Sequence, residues 1–180
     1  MTDRRSFQPR DITLRDGRIF RLRPINAADG PLLRDMIDRS APEDIRLRFF
    51  APMRSLTEEA AERLSKVDPA SGMALVVEAP EGGRNAILAV GRFAIGPAAD
   101  EAEYAVMVRS DLKGQGLGYL LMREIIAHAR VHRLRRLYGE VLRENATMLR
   151  MAGELGFQRR DDPDDPGLVR VIVDLTENAA

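Results

Sequence analysis

The 180-residue chain has no cysteine and no tryptophan, and only three tyrosines and six phenylalanines. Without cysteine there is no disulfide, no thiol nucleophile and no thiolate metal site, which fits a reducing compartment. An excess of one charge sign is missing as well. The 28 Lys+Arg balance 28 Asp+Glu, so no net field favours a polyanion, and the arginine-rich stretch 130–136 contains no recognisable nucleic-acid reader. Lysine is scarce: Lys66 and Lys113 stand beside 26 arginines, a compositional bias. Long apolar runs are absent too. The longest, such as 86–90 and 104–108, fall far short of the ~20 residues of a spanning helix. Residues 1–10 carry charge but lead into no apolar segment, unlike a secretory signal. The expectation is a cytoplasmic protein with no membrane or nucleic-acid partner.

What is present is ordinary for a globular chain, 44% hydrophobic and 31% charged. One domain over 1–180 is expected, with an ordered core of about 12–175 and frayed ends at about 1–9 and 177–180. A domain of this size buries roughly 70% of its unfolded surface, so it needs no staple. Ile12 and Leu14, then Ile19, Phe20 and Leu22, flank Asp16-Gly17, a hairpin-favouring dipeptide. Leu32, Leu33, Met36 and Ile37 recur at helical spacing up to Ala41-Pro42. Pro42 opens a short helix carrying Ile45, Leu47, Phe49 and Phe50, and Thr57 caps a third helix to about Val67. Residues 73–78 and 86–95 read as hairpin strands around a turn at 80–84, and 101–109 alternates as another strand. Residues 116–132 form the strongest amphipathic helix. A strand over 136–142, a helix from Asn145 to Leu155 stopped by Gly156, and a terminal hairpin ending at 168–175 complete the order. The layout is α+β (mixed α/β): a largely antiparallel sheet of six to seven strands with helices on both faces.

The segment Arg109-Ser-Asp-Leu-Lys113-Gly114-Gln115-Gly116-Leu117-Gly118 joins a strand to the strongest helix. Its glycines leave backbone N–H groups uncovered where a helix begins, and the helix dipole adds partial positive charge there. Such a turn suits a phosphate or pyrophosphate, with Lys113 as a point charge. The spacing is neither G-x-G-x-x-G nor a P-loop, and glycines before a helix also serve as plain connectors.

The run Lys113-Gly-Gln-Gly-Leu-Gly118 resembles the acyl-CoA pyrophosphate loop, Q/R-x-x-G-x-G/A, of the GNAT N-acetyltransferase superfamily. Asn145-Ala-Thr-Met, followed by Gly156-Phe157, is similar to that family's N-x-x-a…G-F segment. The likeness extends over about 12–175. Ser40-Ala-Pro-Glu-Asp-Ile-Arg-Leu-Arg-Phe-Phe50 further resembles bacterial Pat-type protein-lysine acetyltransferases. Two departures stand out: Lys113 replaces Gln or Arg, and Ala152 occupies the place of a tyrosine proposed to protonate the leaving thiolate. A thiol of pKa ~8.5 can leave as thiolate.

The resemblance implies two splayed central strands with acetyl-CoA as co-substrate between them. Pantetheine would bond the backbone of Met107 and Val108, and the diphosphate would sit over Gln115, Gly116, Leu117, Gly118 and Tyr119, beside Lys113 and Gly114. Asn145 would bond pantetheine or cap its helix. The acceptor would be an amine, a protein lysine or a small molecule such as an amino acid, polyamine or drug. At pH 7 only about 0.04% of a lysine-type amine is free base, so a carboxylate base is called for. Glu103 is the first candidate, since it begins the strand leading to the loop and Pat-type enzymes place a glutamate base there. The plainer role for it is a solvated edge residue. Glu140 is the reserve, with Arg143 as its expected partner. A backbone N–H near Met107 or Val108 would hold the oxyanion. His128 and His132 lack a third ligand, so no metal is expected. Residues 161–165 read as an acidic loop that can border the acceptor, and Phe49-Phe50 as core. A non-catalytic acyl-CoA-sensing domain is the rival from another class.

Overall fold

The structure, a computed structural model, describes residues 7–176. The fraying expected at 1–6 and 177–180 concerns residues outside that range. Order begins earlier than expected: Phe7 is buried in the core, and β1 starts at residue 10. Eight strands form one sheet, in the order β1-β2-β3-β4-β5-β6-β8-β7, one or two more than the expected six to seven. They are β1 (Arg10–Thr13), β2 (Ile19–Pro24), β3 (Gly72–Glu81), β4 (Arg84–Ile95), β5 (Glu101–Val108), β6 (Arg136–Leu142), β7 (Gln158–Asp161) and β8 (Leu168–Asp174). β7, whose four residues are all exposed, pairs with β8 as the expected terminal hairpin.

The hairpins follow from local chemistry. Glu81 pairs with Arg84, and the two residues between them, Gly82 and Gly83, both take positive φ (59° and 81°), the turn that matches the twist of the strands. The strands therefore run on through 80–84 where a longer turn was expected. Thr57 caps α3 (Glu58–Ser65) by accepting the Ala60 N–H at 3.1 Å. Asn145 caps α5 (Ala146–Glu154) by accepting the Met148 N–H at 3.1 Å.

Two layers of helix cover the sheet. On one face α1 (Gly30–Asp38), α2 (Pro42–Phe49) and α3 pack Leu33, Met36, Ile37, Ile45 and Ala61 over Val76, Ile87 and Met107. On the other, α4 (Leu117–Val131) and α5 bury Leu121, Met122, Ile125 and Leu149 against Leu75, Phe93 and Leu137. Phe49 packs on the first cluster as expected. Phe50 does not: it ends α2 in the left-handed conformation (φ 61°) and is 42% exposed. Among the described residues no helix is long and apolar enough to cross a membrane.

One irregularity sets the functional geometry. All neighbouring strands are antiparallel except β5 and β6, which run parallel and pair only at Glu101↔Arg136, Ala102↔Leu137 and Glu103↔Tyr138. Beyond that point they part, as the splay implied by the family resemblance requires. Tyr104, the next residue of β5, is buried and stacks edge-on against Phe157 (5.4 Å between ring centres). Its ring lies against β6 at Gly139, where an added Cβ would stand 2.5 Å from Tyr104 Cε1. Glycine at 139 is thus what lets the ring occupy the fork. Gly139→Ala overpacks this contact and lowers stability by about 1–3 kcal/mol in urea unfolding. Tyr104→Phe keeps the ring and removes a buried hydroxyl that has no partner, so its stability matches or exceeds that of the native protein.

Candidate active site

Residues 109–116 connect β5 to α4. Gly114 (φ 78°) and Gly116 (φ 88°) adopt left-handed backbone that other L-residues avoid. Gly116 is the N-cap of α4, and the first intrahelical bond runs from the Leu120 N–H to its carbonyl. The N–H groups of Leu117, Gly118 and Tyr119 precede that bond and have no helical acceptor. The Leu117 side chain is in the core, so only its main chain can serve a ligand. At Gly118 a Cβ would make only ordinary contact with Met151 of α5, at 3.6 Å. Gln115 is half-buried beside the turn.

The turn is anchored by side chains that periodicity does not reveal. Arg109, nearly fully buried, forks onto Glu81 (2.7 and 3.0 Å) and onto Asp111 (2.7 and 2.9 Å). Glu81 also receives Arg39 from the end of α1 at 2.7 Å. Hydrogen bonding by Arg109 holds the Glu81 carboxyl down at about 2. Lys113 pairs with Asp44 of α2. Asp44 also accepts the Ser110 hydroxyl at 2.6 Å, and Ser110 accepts the Ala41 N–H at 2.7 Å. The loop is therefore stitched to the start of α2, with Lys113 turned toward a carboxylate. A basic residue missed in the sequence, Arg15 of the β1–β2 hairpin, arrives from the other side, its Nε 3.8 Å from where a Gly116 Cβ would stand.

Backbone direction decides which residues face the gap between β5 and β6. Arg109 N–H bonds to Leu88 O, and Gly96 N–H to Glu101 O. With the continuous β4–β5 register, these bonds place the odd-numbered residues of β5 on β4 and turn the even-numbered ones to β6. Val106 and Val108 thus present their N–H and C=O groups to the gap. Met107 was expected to do so with Val108, but its main chain is spent on Val90; its side chain instead lines the α1–α3 face.

Glu103 stands at the fork itself, exposed, on the same face as Met107 and the direct partner of Tyr138. Burial first and the Glu103 charge second push the Tyr138 phenol up. Arg48 of α2 also feels Glu103. Glu140 pairs with Arg170 at 2.7 Å, and the expected partner Arg143 bonds Asp161 at 2.7 Å instead, because β7 brings Asp161 alongside. Asn145 spends its side-chain oxygen on the helix cap. Ala152 is fully buried. His128 stacks on Phe7 (5.3 Å) and His132 on Phe93 (5.4 Å). Among the described residues no group of three or more His, Cys, Asp or Glu is placed to hold a metal ion.

A half-unpaired strand that leads from a carboxylate to a glycine-built helix N-terminus is the layout of an acyltransferase fold. The chain belongs to the GNAT family: the family model described as the acetyltransferase (GNAT) domain matches residues 20–158. It is an N-acetyltransferase. The protein named acetyltransferase PA5475 from Pseudomonas aeruginosa is 30% identical over 153 residues, spanning 85% of this chain and 82% of that one. The GNAT domain of Streptomyces lividans PAT superposes with a TM-score of 0.82 at 30% identity, covering 92% of this chain and 96% of that structure. The structure of yncA from Salmonella typhimurium with its cofactor acetyl-CoA has the same fold, with a TM-score of 0.63 at 19% identity over 89% of this chain and 96% of that one.

The depressed Glu81 carboxyl gives a pH prediction. Its folded pKa (about 2) lies below the ordinary 4.5, so the stabilisation is complete above pH 4.5 and is lost as pH falls toward 2. Chemical denaturation of Glu81→Gln at neutral pH should show a loss of about 1–3 kcal/mol, and the stability difference from the native protein should shrink across that acid window.

Proposed function

We propose that the chain moves an acetyl group from acetyl-CoA to a primary amine, with Glu103 as general base and residues 1–180 acting as one domain. The observation that carries this reading is the line formed by Glu103, the gap-facing backbone of Val106 and Val108, and the α4 N-terminus. The residues fit the co-substrate. Gly114 has open space where a Cβ would be, and the N–H groups of Leu117, Gly118 and Tyr119 suit a diphosphate, with Lys113, Gly114, Gln115 and Gly116 shaping the turn. The fold neighbour solved with acetyl-CoA supports the same assignment. Asn145 borders the pantetheine arm while capping α5. The cysteine-free composition supports a cytoplasmic setting.

Acetyl-CoA supplies an activated thioester carbonyl. Val106 and Val108 hold the arm as an added strand would, and an N–H of theirs donates to the carbonyl oxygen as charge builds there. Glu103 takes the ammonium proton, directly or through water, and frees the amine lone pair. The new N–C bond forms as the C–S bond breaks, and the second nitrogen proton leaves through water to solvent. Ala152 offers no proton, so the sulfur leaves as thiolate, which a thiol pKa of ~8.5 permits.

A protein lysine as acceptor rests on the Pat-like 40–50 segment and the likeness to the Streptomyces domain. A small amine is favoured by the narrow pocket on the same face of the sheet as Glu103, lined by Phe49, Val90 and Met107. Glu103→Gln lowers kcat by about 10²–10⁴-fold with acetyl-CoA binding intact in calorimetry. Full turnover of that variant would remove Glu103 from the role. Gly116→Ala, forced to φ 88°, costs roughly 1–2 kcal/mol at the turn, which should appear as an up to 30-fold rise in the Kd for acetyl-CoA.

A further inference from the structure

Two arginines on the Glu103 face of the sheet have no part in the chemistry above. Arg92 rises from β4 and Arg48 from α2 into an apolar pocket lined by Leu33, Met36, Leu56, Phe49, Val90 and Met107. The cavity between these side chains is about 20 Å³, room for a group little larger than one water molecule. Arg92 donates to the Leu64 carbonyl at 2.7 Å, and the Arg48 guanidinium lies 4.7 Å from the Phe49 ring centre. Neither forms an ion pair with a carboxylate among the described residues. Two other arginines turned into the protein are held by carboxylates: Arg23 by Asp29 and Glu78, and Arg109 by Glu81 and Asp111. Desolvation pulls both pocket arginines down, Arg92 to about 10, where the charge of Arg48 is the second cause. The acid that acts on Arg48 is Glu103.

Register brings this cationic pocket to the reaction centre. Arg92 lies opposite Ala105, and Glu103 opposite Ala94. Arg92 and Glu103 are therefore diagonal neighbours on one face, a separation of about 7–8 Å along the sheet. Two half-buried arginines in one pocket, with Glu103 acting on Arg48 alone, leave positive charge uncompensated in apolar surroundings, an arrangement that an anion from outside relieves.

We propose that the acceptor carries its own carboxylate, which enters between Arg48 and Arg92 while its amine faces Glu103. This rests on the acyl-transfer reading and names the substrate class within it: a small amine of the amino-acid type. Guanidinium groups fork onto carboxylates with paired hydrogen bonds, and the same positive charge repels a polyamine. Arg48 and Arg92 are specificity residues in this account, and Glu103 remains the base.

The test compares amino acids with their decarboxylated counterparts, such as lysine against cadaverine and glycine against methylamine, together with an amidated neutral peptide holding one lysine. The carboxylate-bearing member of each pair should be preferred in kcat/KM. Arg48→Met and Arg92→Met should each lower its kcat/KM about 10- to 100-fold, so that the preference collapses. Binding is read separately by calorimetry of N-acetylglycine and of N-methylacetamide, its carboxylate-free counterpart, into protein saturated with CoA. Only N-acetylglycine should bind, and either variant should lose it. Equal treatment of the paired amines, preference for the peptide lysine, or equal binding of the two amides overturns the proposal while leaving the acyl-transfer reading intact. Failure of CoA itself to bind would overturn that reading instead, and this inference with it.

Discussion

The parting of β5 from β6 after three residue pairs is the constraint from which the site follows. Parallel strands that stayed zipped would satisfy their backbone groups on each other and leave nothing for a ligand. Here the Tyr104 ring fills the fork against Gly139, and the N–H and C=O groups of Val106 and Val108 turn to an open edge. A strand edge of this kind is a template for an extended chain. In the proposed function that edge is the cradle of an acyl carrier.

The charged residues divide into those that build the scaffold and those left over. Arg109, Glu81, Arg39 and Asp111 tie the β3–β4 hairpin, the end of α1 and the glycine turn into one unit. Asp44 gathers Ser110 and Lys113, so that α2 is joined to the glycine turn. Arg48 and Arg92 are outside these networks. What marks this pair is that both side chains line one pocket on the Glu103 face and neither has a carboxylate partner.

Much of this was legible in the residues. Periodicity located the helices, Thr57 and Asn145 marked their caps, and the glycines at 114 and 116 marked the turn, because each reports a local backbone requirement. The glycine-spaced motif also led to the family. What stayed hidden is non-local. The Arg109–Glu81 fork joins residues far apart in sequence, and nothing near Arg109 announces it. Arg143 sits closer to Glu140 in sequence than Arg170 does, yet β8 brings Arg170 across. The choice between Met107 and Val106 depends on which way a main-chain amide points, and side-chain patterns do not carry that. Arg15 belongs to a hairpin whose sequence gives no hint that it ends beside Gly116.

The most direct measurement of the central claim is amide hydrogen exchange along β5, with and without acetyl-CoA. The account predicts that Val106 and Val108 exchange quickly in the free protein, since their N–H groups face the gap, and are strongly protected by the ligand, along with Leu117, Gly118 and Tyr119. Ala105 and Met107, bonded to β4, should be slow in both states. If acetyl-CoA binds and Val106 and Val108 keep their free-state exchange, or if they are already protected without it, the open edge is not the cradle and the account fails.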